Sequence, residues 1–177
     1  NPHRKAKHAG WLGNLRYREG RYQTAFQLHL NSLDGKRTPD ERVSARVNAA
    51  MAALDGLLLD DAARHAGRAM AAAAAIRHPM YEAMARWIDL SARYRSGESL
   101  SSDPKLVDAA EAIGAQIGAS HALVQAAIAW RAEDSRGAEL ARRAADGFTR
   151  VGDHTVAVLC EALSLAAGGP GDSDRIQ

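Results

Sequence analysis

The chain has 177 residues, of which 46% are hydrophobic and 25% charged, with a formal net charge of +2. This is the balance of a globular protein, and the length suits one domain or a short array of repeats. No apolar run approaches the roughly 20 residues that cross a bilayer, which excludes a membrane span. A single cysteine, Cys160, excludes an intrachain disulfide and fits a reducing, cytoplasmic location.

Aromatic residues make up only 5% of the chain, while alanine is abundant. Small apolar residues with few β-branched ones favour helices, and a core built from them requires helices that approach closely. Charge is unevenly spread, with 10 Lys and Arg against 4 Asp and Glu in residues 1–50. The start, Asn1-Pro2-His3-Arg4-Lys5, is basic but lacks the apolar stretch of a secretory signal. It does not begin with Met, so a processed chain or a segment of a longer protein is expected.

In chain order, helical periodicity dominates. Leu12, Leu15, Tyr17 and Tyr22 flank a turn at Gly20, and Ala25, Phe26, Leu28, His29 and Leu33 follow at helical spacing. Residues 34–40 read as a loop, with Pro39 at a helix start. The next helix runs from Asp40 to Asp55 and breaks near Gly56, and another runs from Leu59 to Ile76. The residue before a proline avoids the helical region, so His78-Pro79 is an ending. Met80–Ser96 is closed by Gly97, and residues 98–103 form the longest polar loop. Pro104 restarts a helix to Ile117, stopped by Gly118, and Ser120 is placed to cap the helix that ends near Glu133. A helix over Ser135–Val151 stops at Gly152, and Asp153 caps a last helix to Ala167. The Gly- and Asp-rich end, 168–177, reads as a disordered tail. No segment alternates as a strand does, so the expected class is all-α, in antiparallel hairpins stacked in a row.

Residues 12–25 align with residues 49–62 at an offset of 37, pairing Tyr22 with Leu59, Ser32 with Ala69 and Leu33 with Met70. The segment Trp11-Leu12-Gly13-Asn14-Leu15-Arg16-Tyr17-Arg18-Glu19-Gly20-Arg21-Tyr22-Gln23-Thr24-Ala25-Phe26 resembles the tetratricopeptide repeat (TPR) family. Leu90-Ser91 with Tyr94, and Phe148-Thr149-Arg150-Val151-Gly152-Asp153, are similar to later parts of such repeats, with Gly137 where the family usually has alanine. Small Gly13 and Ala25 mark a close helix crossing, Gly20 a tight turn, and Tyr17 and Tyr22 filling between hairpins. The resemblance implies a right-handed α-solenoid of about four helix pairs (5–33, 40–76, 80–117 and 120–151) plus a capping helix over 153–167. An inner groove would be lined by the first helix of each pair.

The chain has no Gly-rich phosphate loop, no His-Glu-x-x-His, no Cys pair and no Gly-x-Ser-x-Gly. The seven histidines are scattered, and Cys160 sits among Val158, Leu159 and Leu163 as an inert buried thiol. The carboxylate pairs Asp60/Asp61 and Asp103/Asp108 read as residues at helix starts, favourable to the helix dipole. No enzyme activity, metal or cofactor is expected. Direct nucleic-acid binding is not expected either, because Tyr17 and Tyr22, interleaved with Arg16, Arg18 and Arg21, are claimed by packing.

Some TPR co-chaperones hold a peptide's C-terminal carboxylate with asparagines on successive first helices, together with lysines and an arginine. Asn14 and Asn48 match the asparagine places, whereas the lysine one turn before Asn14 is Gly10 here. The expected groove for an acidic or polar peptide therefore uses Asn14, Arg18, Asn48, Arg86 and Arg93. By resemblance, the chain is the regulatory or sensing arm of a larger bacterial transcription regulator or signalling ATPase, with a protein or peptide partner. The alternatives are a small-molecule sensor with a pocket at Trp87 or Trp130, and self-assembly through the final helix, Thr155–Ala167.

Overall fold

A computed structural model describes residues 2–36 and 38–167. Among them the fold is all-α: α1 (Pro2–Arg18), α2 (Tyr22–Leu33), α3 (Pro39–Asp55), α4 (Leu59–Ala75), α5 (Pro79–Arg95), α6 (Pro104–Glu111), α7 (Ala115–Arg131), α8 (Gly137–Arg150) and α9 (His154–Ala167). The chain divides between Gly97 and Glu98 into two compact units. In the first, each of α1 to α5 packs on the next, and α5 also packs on α3; in the second, α6 to α9 pack in the same consecutive manner. The expected helix pair 80–117 straddles this division. The expected tail, 168–177, lies outside the described residues.

One backbone device recurs at the helix ends. Gly20, Leu57, Arg77, Glu133 and Gly152 all take positive φ, between 53° and 82°. The amide that follows each donates back across the last helical turn: Arg21 to Arg16, Leu58 to Ala53, His78 to Ala73, Asp134 to Ala129 and Asp153 to Phe148, at 2.8–2.9 Å. This is the Schellman closure, which satisfies carbonyls that the helix end leaves open. Arg21, Leu58, His78 and Asp153 then accept the first amide bond of the next helix, from Ala25, Ala62, Glu82 and Ala157. Each of these four linkers is thus three residues long, with one left-handed residue at its centre. Gly20 and Leu57 occupy the same place in successive hairpins, so the 37-residue register of the sequence is also the register of the turns.

Other starts follow their local chemistry. Thr38 and Glu41 form a capping box ahead of α3, with Pro39 in its first turn. The His78 ring accepts from the Tyr81 amide at 3.4 Å, and Asp153 accepts from the Val156 amide at 3.3 Å.

Two expectations fail at the start of the second unit. The helix from Pro104 ends at Glu111 rather than Ile117, and Gly118 is buried inside α7. Gly118 serves contact: a methyl group there would lie 2.4 Å from Glu111 Cγ and 2.9 Å from its Cα. Ser120 caps nothing, and its hydroxyl donates back to the Gln116 carbonyl at 2.9 Å. Asp108 does not sit at a helix start; it joins Glu111 in gripping Arg143, at 2.7 and 2.9 Å.

Alanine carries both cores. Ala49, Ala50, Ala52 and Ala53 of α3 meet Ala62, Ala66, Ala69 and Ala73 of α4, with Phe26, Val43, Val47, Leu54 and Ile88 filling the larger gaps. In the second unit Ala141, Ala144 and Ala145 join Ala119, Ala122, Ala126 and Ala129 around Leu140, Phe148 and a buried Cys160. Side chains of this size let helix axes approach to the short end of the usual range. Gly147 is tighter still, since a methyl group on it would stand 2.7 Å from Ala119 Cβ.

Gly67, inside α4, has open space where a methyl group would go. Gly67→Ala should therefore raise the unfolding free energy by about 0.5–1 kcal/mol through backbone entropy alone. Gly147→Ala should lower it by about 1–3 kcal/mol through overpacking. Urea denaturation of the two variants checks the opposite signs.

Candidate functional site

The basic helix α1 has two unlike faces. Ala6 and Gly13 are buried, and a methyl group on Gly13 would lie 2.8 Å from the His29 ring of α2. That contact fixes the rotation of α1 about its axis. Residues at helical spacing on the other side then face outward: Arg4, Lys7, His8, Trp11, Asn14, Leu15 and Arg18 are all exposed. Trp11 keeps 64% of its surface accessible and Leu15 39%. His8 lies beside the indole, with ring centroids 6.4 Å apart. An open concavity of about 630 Å³ lies against Arg4, Lys5, Lys7, His8 and Trp11.

The electrostatics of this face are one-sided. Between Pro2 and Arg18 there are five Lys or Arg residues and no carboxylate. Arg16 pairs with Glu19 at 2.6 Å, but among the described residues no carboxylate pairs with Arg4, Lys5, Lys7 or Arg18. Lys36, from the α2–α3 loop, lies on the α2 side of α1: its ammonium would stand 3.7 Å from a methyl group on Gly10, which would also meet Ser32 of α2 at 3.6 Å. His3 ties the start of α1 to that loop by donating to the Gly35 carbonyl at 2.9 Å.

The other expected site residues are placed as follows. With Gly20 and Leu57 in register, Asn48 of α3 is the counterpart of Trp11, and Asn14 the counterpart of Met51. The two asparagines therefore stand one helical turn apart along their helices, about 4.5 Å in rise. Asn48 is half-buried. Arg86 pairs with Glu82 at 3.0 Å and Arg93 with Asp89 at 3.5 Å, both within α5. Trp87 packs half-buried against the first core, whereas Trp130, in the second unit, is 45% exposed.

At the lower end of α1, Tyr17 donates a short hydrogen bond to the Asp55 carboxylate and stacks edge-on with Tyr22, centroids 5.3 Å apart. Burial first, then that hydrogen bond, push the Tyr17 phenol up. Arg95 donates to the Leu54 carbonyl at 3.3 Å, so α1 and α5 both tie to the end of α3. In the second unit, Ser102 and Arg136 hold Asp134, and the guanidinium of Arg136 keeps that carboxyl far below the usual range. These are structural knots between loops and helix ends. Among the described residues, no three His, Cys, Asp or Glu side chains come close enough to hold a metal ion. No helix is long and apolar enough to cross a membrane.

With this geometry in place, comparison with known proteins adds nothing further: no protein-family model matches the chain, and no curated protein matches it.

His29 is buried between α1 and α2, and burial first, then the nearby Lys36, push its pKa down to about 4 from 6.5. Burial, then Arg64, Arg68 and Arg46, lower that of His65, which meets Phe26 edge-on. The unfolded chain binds protons that these folded imidazoles refuse. Stability is therefore full above about pH 6.5 and falls as pH drops from there towards 4. His29→Gln should flatten that decline, as measured by urea midpoints above and within the window.

Proposed function

We propose that the chain is a non-enzymatic, TPR-type helical-repeat module that binds a segment of another protein along the exposed face of α1. In this reading it is the regulatory or sensing arm of a larger bacterial transcription regulator or signalling protein. The single observation that carries it is the outward row of Trp11, Asn14, Leu15 and Arg18 on a helix whose opposite side is locked onto α2. An exposed tryptophan flanked by polar side chains on a rigid element has the composition of a binding hot spot. The repeat register supports the TPR assignment, since left-handed turns recur 37 residues apart with Ala25 and Ala62, and Ser32 and Ala69, buried at matching places.

A photocrosslinker placed at Asn14 in the full chain should capture a protein from an extract of the native host, while one at the exposed Arg142 of α8 should not. Trp11→Ala should abolish the capture and leave the thermal midpoint unchanged, because the indole makes little of the core. Equal capture from both positions, or a large loss of stability with capture intact, would contradict the reading.

A second reading, self-association through α9, is favoured by a different observation. Val158, Leu159 and Leu165 are 62%, 61% and 72% exposed, and Ala162 and Ala166 continue the same helical row. An apolar stripe of this kind commonly marks an interface. If it joins two copies, light scattering should show a mass that rises with concentration, and Leu159→Glu should return it to the monomer. A constant monomer mass for the unaltered chain rejects self-association.

A further inference from the structure

We infer that the α1 face recognises an acidic protein segment, one whose carboxylates flank an apolar side chain; this rests on the binding-module reading above. The apolar anchor point is set by Trp11 and Leu15, one helical turn apart and both exposed. The charge around it is cationic along the length of the helix, with Arg4 and Lys7 above and Arg18 below. These cations repel one another, and nothing on α1 neutralises them. A ligand that brings carboxylates to both sides of an apolar residue relieves that repulsion while covering the indole. Asn14, between Trp11 and Arg18 on the same face, offers an amide to a backbone group of the segment.

Two other polyanions fit the charge less well. Single-stranded nucleic acid binds by stacking successive bases on several aromatic side chains. Here Tyr17 is bonded to Asp55 and Tyr22 lies edge-on against Tyr17, which leaves Trp11 with only the small His8 ring beside it. An interfacial membrane helix buries its apolar face in lipid. With Ala6 and Gly13 buried against α2, the outward apolar surface of α1 is only Trp11 and Leu15, narrower than such a helix needs.

Panning a random-peptide library on the full chain separates the possibilities, with oligothymidylate and phosphatidylserine vesicles as competitors. The inference expects enriched peptides with carboxylates on both sides of an apolar residue. Their affinity should drop about tenfold or more in Trp11→Ala and in Lys7→Glu, and should weaken with added salt. Arg4→Glu serves as an independent charge reversal, and circular dichroism of each variant confirms that helix content is retained. Enriched neutral or basic peptides that still require Trp11 overturn the acidic chemistry and leave the binding-module reading standing. Tighter binding of oligothymidylate or vesicles than of any peptide overturns the choice of a protein ligand. A library that yields no Trp11-dependent peptide overturns both.

Discussion

Close approach of alanine- and glycine-sized surfaces governs this molecule from the turns outward. A three-residue linker centred on one left-handed residue brings antiparallel helices together at once, and only small side chains can then lie between them. Gly13 against His29, Gly118 against Glu111 and Gly147 against Ala119 are the points of tightest contact. Larger residues such as Phe26, Leu54, Ile88, Leu140 and Phe148 appear where the helices have room. The same constraint decides which sides of the helices remain for water. Once the His29 ring seats on Gly13, the rotation of α1 is set, and Trp11 has nowhere to go but outward.

That arrangement also separates structural from available charge. The ion pairs of Arg86, Arg93, Arg136 and Arg143 run within or between neighbouring helix segments and contribute modestly at such exposed positions. Apart from Arg16, which pairs with Glu19, the cations of α1 have no such partners among the described residues. A surface that holds like charges together without internal compensation gives up some stability in isolation. An acidic partner would recover it, which links the basic bias of the first 50 residues to a specific face.

Much of the architecture was legible from residue order. Proline and glycine mark real helix ends at Pro39, Gly20, Gly97 and Gly152, and the 37-residue repeat survives into the backbone dihedrals. The α6–α7 boundary was not legible, because Gly114 and Gly118 stand four residues apart and a glycine in a helical pattern signals either a terminator or a close contact; the break falls at Gly114. Gly118 is the second kind, and only the position of Glu111 reveals it. Leu57, Arg77 and Glu133 carry no such mark at all, since a left-handed conformation at a side-chain-bearing residue has no signature in composition. Of the site, Asn14 and Arg18 could be named from the repeat pattern. Trp11 could not, since an aromatic within a repeat helix is as readily read as packing, and only the seating of Gly13 on His29 turns it outward.

The three-residue turns bear on how the chain can vary in length. Where the residue that closes one helix also opens the next, an inserted residue would shift the whole following helix around its axis and turn its apolar side to water. Insertions, affinity tags and circular-permutation points are therefore better placed in the connections at residues 98–103 and 132–136, where no such shared residue exists. Sequence drift in relatives of this chain should show the same asymmetry, with gaps gathered at those two connections and none at Gly20, Leu57, Arg77 or Gly152.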